Sequence, residues 1–166
     1  PVVCGEISLS NNNKIKKIAL EIAQSGRTEI VMIAGPSSAG KTTSAKKLRE
    51  HLNSLGINSL TVSLDDYYVD NCDAPRFPDG TPDFETVDAL DIECFQKTMG
   101  ELLKTNETYL PEFDFLQGKR KKEYRHIKIS EGDVIIVEGL HALNPKITDH
   151  LPNERLLKIY INISSR

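Results

Sequence analysis

The segment Gly35-Pro36-Ser37-Ser38-Ala39-Gly40-Lys41-Thr42 sets two glycines around four small or rigid residues, then adds an ammonium and a hydroxyl. Glycine lets the backbone turn where other residues cannot. Successive N–H groups can then converge on an anion. A helix opening at the end of the segment adds its partial positive charge. Lys41 supplies a point charge for β/γ oxygens, and Thr42 offers its hydroxyl to Mg²⁺. Thr43 follows as a first-turn helix residue that also borders the cradle. The chemistry that fits is binding of a polyphosphate with its magnesium, ATP and Mg²⁺ being the cofactors expected.

A magnesium site of this kind needs a carboxylate at the end of a neighbouring buried strand. The stretch VIIVEG places Glu138 there, after four apolar residues. Direct ligation and ligation through water are both open.

The elements that must carry these groups can be read from periodicity. EIVMIAG is a continuous apolar run ending in glycine, as expected of a strand buried on both faces. KTTSAKKLREHLNSLG puts Ala45, Leu48, Leu52 and Leu55 on one helical face and ends at Gly56. NSLTVSL, EGDVIIVEG and LLKIYINI supply three more strands. Ile92, Phe95, Met99, Leu102 and Leu103 mark another helix. Ahead of the first strand, KIKKIALEIAQSG has Ile15, Ile18 and Ile22 at helical spacing, with asparagines before it and Gly26 after it. The stretch DDYYVDNCDAPRFPDGTPDF is rich in Asp, Pro and Gly and is expected to be a long loop. TYLPEFDFLQGKRKKEYRHIKIS suggests short strands or a hairpin outside the main sheet. Alternating strands and helices predict an α/β fold with a mainly parallel sheet. The expected division is a helical lead-in over residues 1–27 and a nucleotide-binding domain over 28–166.

Composition narrows the function. The chain has 166 residues, 39% hydrophobic and 27% charged, with net charge −3. This argues for a globular domain without general attraction to nucleic acid or anionic membrane. No apolar run is long enough to span a bilayer. Cys4, Cys72 and Cys94 are odd in number and scattered. They suggest neither a disulfide framework nor a zinc site, and a reducing cytoplasm is the expectation. Guanine-nucleotide switching is excluded by motif. No glycine has Asp three positions before it, and Asn13-Lys14 is followed by Ile15-Lys16. The chain begins at Pro1 and stops just after a strand pattern, so it is expected to be part of a longer protein.

GPSSAGKTT, SLDDYY, DFETVDALD, LPEFDFLQGKR and VIIVEGLHALNP occur in one order over about residues 28–163. In that order and rough spacing the chain resembles the uridine kinase/phosphoribulokinase family of P-loop kinases. It is most similar to the nucleoside-kinase-like branch, in which a threonyl-tRNA-synthetase-related region precedes the kinase. The resemblance implies the three-layer α/β/α P-loop fold and a phosphotransferase acting on a hydroxyl. It implies that Asp65, at the end of the second strand, takes the proton of the attacking hydroxyl and helps organise Mg²⁺, with Asp66 as its neighbouring competitor. Strand neighbours point to opposite faces, so one of the two should face the phosphate.

The resemblance also implies a substrate clamp. Glu85 stands where pyrimidine-specific members have an aspartate on the ribose hydroxyls. Phe113 stands where they have tyrosine, and Gly118 where they have histidine, so the pyrimidine readers are not matched. His141, in EGLH, corresponds to a residue near phosphate or acceptor in phosphoribulokinases. Arg120 has a counterpart beside the acceptor. It lies in the basic stretch with Lys119, Lys121, Lys122 and Arg125, which otherwise suits a solvated hairpin. The family closes an arginine-bearing lid after the strand matching LLKIYINI, and that lid is expected to be missing from these residues. The expectation is therefore an ATP-dependent kinase of a nucleoside-like acceptor, with a homo-oligomer left open. The alternatives are a sugar or polyol acceptor, or a non-catalytic ATP-binding switch module.

Overall fold

The computed structural model describes residues 12–35 and 41–161. Two compact units emerge from the chain. The first takes its described residues from those up to Val62, from Glu131–Leu143, and from Leu151 onward; the second comprises Ser63–Ser130 and Asn144–His150.

The first unit is built on a four-stranded sheet. Its strands are β1 (Ile30–Ala34), β2 (Ser59–Ser63), β7 (Val134–Glu138) and β8 (Leu156–Tyr160), in the order β2-β7-β1-β8. β1 runs parallel to both neighbours, with Ile33 opposite Glu138 on one side and Ala34 opposite Tyr160 on the other. All five residues of β1 and of β7 are buried, as the continuous apolar runs require. Helices α1 (Asn12–Ser25) and α2 (Lys41–Ser54) pack together, and their apolar stripes share one core with the sheet. Ile15, Ile18 and Ile22 of α1 and Ala45, Leu48 and Leu52 of α2 join Val31, Ile33, Ile136 and Ile159 there. The helix expected over KIKKIALEIAQSG is thus a packed element of the sheet unit. Gly26 ends it at φ +63°, a conformation that glycine adopts without steric cost.

The second unit holds α3 (Ile92–Thr105), four short strands and α4 (Pro145–Thr148). β3 (Glu107–Leu110) pairs antiparallel with β6 (Arg125–Lys128), and β4 (Phe113–Asp114) pairs inside them with β5 (Lys119–Arg120). The expected hairpin insert is therefore a nested pair of ribbons. Asp91 caps α3 by accepting the Cys94 N–H at 3.0 Å, and Asn106 closes it at φ +61°. The long loop after β2 is tied down locally. Arg76 donates to the carbonyls of Gly80 and Asn71 at 3.0 Å each, and Asp79 accepts from both the N–H and the hydroxyl of Thr81. No described helix is long and apolar enough to cross a membrane.

Candidate active site

In the sheet unit, the phosphate-binding segment starts where β1 ends. Pro36, Ser37, Ser38, Ala39 and Gly40 lie outside the described residues; Gly35 and Lys41–Thr43 flank them. Gly35 admits no side chain: a Cβ there would sit 2.5 Å from the Ile161 carbonyl oxygen. The Ile161 N–H donates to Ala34 at 2.8 Å, which holds that carbonyl in place. Lys41 is the first residue of α2 and is only 8% exposed, while Thr42 and Thr43 are exposed in its first turn.

Glu138 ends β7 and is buried, 9% exposed. Its register partner is Ile33, two residues before Gly35. The Gly139 N–H donates to the Ile33 carbonyl, so the end of β7 is locked to the end of β1. Thr42 and Glu138 offer only oxygen ligands, the chemistry that Mg²⁺ prefers. His141 lies partly buried in the turn that follows β7.

In the second unit, the placement of Asp65 and Asp66 differs from expectation. β2 stops at Ser63, and both aspartates stand on a 3₁₀ turn, Leu64–Tyr67. The cause is local: the Ser63 side chain accepts the Asp65 N–H at 3.2 Å and so caps the turn in place of strand continuation. The alternation of strand faces therefore does not separate the two carboxylates. Their environments do. Asp65 is exposed, and its carboxylate acts on the neighbouring Tyr68 phenol. Asp66 is half-buried and accepts the Phe113 N–H at 3.3 Å. Burial pushes the Asp66 carboxyl up, and neighbouring Glu112 adds to the rise. The Tyr68 phenol is also driven well above its usual range, by burial first and then by the Asp65 carboxylate. Tyr68 is thus a neutral donor at pH 7.

Aromatic rings gather around Tyr68. Its ring centroid lies 4.9 Å from Phe84 and 5.7 Å from Phe113, and Phe113 lies 5.1 Å from Phe115. Three of the five phenylalanines of the chain are in this one cluster. Phe113 is buried, whereas Phe115 is 63% exposed. Sequence reasoning singled out Phe113 and missed Tyr68, Phe84 and Phe115. The available signal was their position: each falls inside a segment that also carries a polar site candidate. Glu85 is exposed next to Phe84, and its N–H is held by Asp83 at 2.9 Å.

Gly118 closes the β4–β5 turn at φ +68°, and its N–H donates to the Asp114 carbonyl. A Cβ there would lie 2.0 Å from the Asn71 side-chain nitrogen. Arg120 points its guanidinium at protein groups: the Asp91 carboxylate at 3.2 Å and the Tyr124 hydroxyl at 3.1 Å. It is partly buried, while Lys119, Lys121, Lys122 and Arg125 are exposed, as expected of a solvated hairpin.

The model of the phosphoribulokinase/uridine kinase family matches residues 30–166. The uridine kinase of Lactobacillus helveticus is 30% identical over 133 residues, 80% of this chain and 60% of that protein. Uridine-cytidine kinase C of Dictyostelium discoideum is 32% identical over 141 residues, 84% of this chain and 27% of that protein. The chain thus spans at most about 60% of the length of these relatives. A possible uridine kinase from Bacillus stearothermophilus has the same fold, with a TM-score of 0.72 at 21% identity, over 92% of this chain and 81% of that one. The chain belongs to the phosphoribulokinase/uridine kinase family.

Proposed function

We propose that this member of the phosphoribulokinase/uridine kinase family transfers the γ-phosphoryl group of ATP to a hydroxyl of a small, nucleoside-like acceptor. The observation that carries the reading is the end of β1: a glycine with no room for a side chain, followed by a buried lysine that opens α2. The segment Gly35 to Thr43 binds the triphosphate, with Ser37, Ser38, Ala39 and Gly40 supplying backbone N–H donors beside Pro36, which has none. Lys41 neutralises charge on the transferred group. Thr42 and Glu138 would hold Mg²⁺, which would screen the phosphate oxygens, and the family resemblance gives Asp65 a part in organising the metal.

The chemistry balances as follows. The acceptor oxygen forms a bond to the γ-phosphorus, the bond to the bridging β–γ oxygen breaks, and ADP leaves. The acceptor proton passes to Asp65, whose exposed carboxylate is open to an acceptor hydroxyl, whereas Asp66 is engaged by the Phe113 N–H. Asp66 is engaged by a backbone N–H and serves to hold Phe113. The rings of Tyr68, Phe84, Phe113 and Phe115 suit a flat base, and Glu85 suits a sugar diol. Phe113 cannot hydrogen-bond and Gly118 has no side chain, so the base is read mainly by shape. The family resemblance puts His141 near phosphate or acceptor, and the free thiols of Cys72 and Cys94 suit a reducing cytoplasm.

A coupled ADP-release assay against nucleosides, sugars and polyols tests the reading. Turnover that depends on a nucleoside supports it. Tight ATP binding with no acceptor-dependent ADP release would make the chain a nucleotide-sensing module instead. Saturation only by a sugar or polyol would move the acceptor class but keep the reaction.

A further inference from the structure

Arg120 spends its guanidinium inside the protein. Nη1 donates to Asp91 Oδ2 at 3.2 Å and to the Tyr124 hydroxyl at 3.1 Å, and Nη2 donates to the Tyr68 carbonyl at 3.5 Å. Its backbone N–H donates to Asp70 Oδ1 at 2.8 Å. Nε is enclosed and without a partner. A guanidinium has five N–H donors. Three are committed here and a fourth is shut away, so little is left to present to a ligand.

Asp91 is the other half of the arrangement. Its Oδ1 caps α3 through the Cys94 N–H, its own N–H donates to the Tyr67 carbonyl at 2.7 Å, and its Oδ2 takes Arg120. Tyr67 and Tyr68 directly follow the two aspartates on the turn Leu64–Tyr67. Asp91 and Arg120 together therefore tie the start of α3 and strand β5 to two consecutive carbonyls at the end of the Asp65 turn, that of Tyr67 through the Asp91 backbone N–H and that of Tyr68 through Nη2.

We propose that Arg120 and Asp91 form a positioning strut: Arg120 acts through Asp91 and the Tyr68 carbonyl to fix where Asp65 and Tyr68 stand, without touching the acceptor. The kinetic consequence rests on the kinase reading. The structural consequence does not. A displacement of about 1 Å at a reacting group costs on the order of 10²-fold in rate.

The test compares Arg120→Gln, Asp91→Asn and the double variant. Asparagine keeps an acceptor for the Cys94 N–H, so Asp91→Asn removes the charge on the pair and leaves the helix cap. Each single variant should lower kcat by about 10- to 100-fold with the acceptor KM nearly unchanged, and the double variant should lose no more than the worse single. Hydrogen exchange at the amides of residues 64–69 should quicken in both single variants, with α2 unaffected. A raised acceptor KM in Arg120→Gln but not in Asp91→Asn would overturn the proposal in favour of direct contact. Unchanged protection of residues 64–69 in both variants would overturn it whatever the kinetics. If the unaltered chain releases no ADP with any acceptor, the kinase reading falls, and the exchange measurement still decides the strut.

Discussion

Gly35→Ala is the most direct probe of the phosphate cradle. The added methyl would meet the Ile161 carbonyl oxygen at 2.5 Å. Carbon–oxygen contacts need at least 3.0 Å and are ordinary only from 3.4 Å, so something must move by about 0.5 to 0.9 Å. Ile161 resists, because its N–H is bonded to Ala34 at 2.8 Å and its side chain is fully buried. Overpacking of this size costs about 1–3 kcal/mol. On the kinase reading, part of that cost should fall on the backbone leading out of β1 and weaken phosphate binding. Isothermal titration with Mg²⁺–ATP should then show affinity weakened by roughly 5- to 150-fold. Where the sheet yields instead, the melting temperature should drop by about 2–4 °C per kcal/mol. Gly26→Ala is the control: its φ is +63° but nothing lies within 4 Å of the new methyl, so it should cost stability through backbone strain alone and leave ATP binding intact. Gly35→Ala with wild-type affinity and wild-type melting would refute the packing argument.

Lys41→Ala should abolish most ATP affinity in titration calorimetry while the far-ultraviolet circular dichroism stays native. Glu138→Gln should raise the Mg²⁺ concentration needed for half-maximal turnover more than it changes ATP affinity at saturating Mg²⁺. Asp65→Asn should cut phosphoryl transfer by roughly 10²–10⁴ with ATP binding preserved, whereas Asp66→Asn should leave kcat near wild type; the opposite ranking would exchange their roles. Burial raises the folded-state Asp66 carboxyl above its usual 3.8, so its contribution to stability is present below that value and is lost as pH rises through the window above it. Asp66→Asn can still accept the Phe113 N–H, so it should melt higher than wild type at pH 7, with the gain shrinking toward pH 4. Tyr67→Phe removes a buried hydroxyl that lies 2.7 Å from Thr98, which keeps its bond to the Phe95 carbonyl; calorimetry should show a loss of about 1 kcal/mol.

The parts legible in the sequence are those set by local pattern. Runs such as IVMIA and VIIVE have no polar residue to turn outward before their ends, so they can only be buried strands, and the groups that close them, Gly35 and Glu138, are placed by that fact alone. The stripes Ile15–Ile18–Ile22 and Ala45–Leu48–Leu52 give two helices that need a common partner, and they share one core. The end of β2 was illegible because a hydroxyl decided it. Nothing in NSLTVSLDDYY says that Ser63 will accept the Asp65 N–H and wind the next four residues into a turn. The aromatic cluster was illegible for another reason. It draws Tyr68, Phe84, Phe113 and Phe115 from three segments up to 47 residues apart, and only the nested pairing of β3–β6 and β4–β5 brings the last two to the first. The basic stretch was half legible: charge count marks it as solvated, but only the structure singles out Arg120 as the cation that faces inward.

Gly118 shows why the β4–β5 turn can change only as a unit rather than one residue at a time. Its φ of +68° comes from closing the β4–β5 turn, where Asp114 also accepts the N–H groups of Leu116 and Gln117 at 3.0 and 3.1 Å. Any side chain there would carry backbone strain. It would also meet Asn71, whose amide nitrogen lies 2.0 Å from the site of a Cβ and whose N–H is bonded to the Gly118 carbonyl at 2.8 Å. Placing histidine at 118 therefore requires two further changes: a turn that no longer demands positive φ, and a smaller or displaced residue at 71. A polar reader restored at 118 alone would disturb the turn before it could touch a base. If this turn borders the acceptor as proposed, the missing histidine is held absent jointly by the turn and by Asn71, and a search for the substrate should begin from shape and stacking rather than from pyrimidine hydrogen bonds.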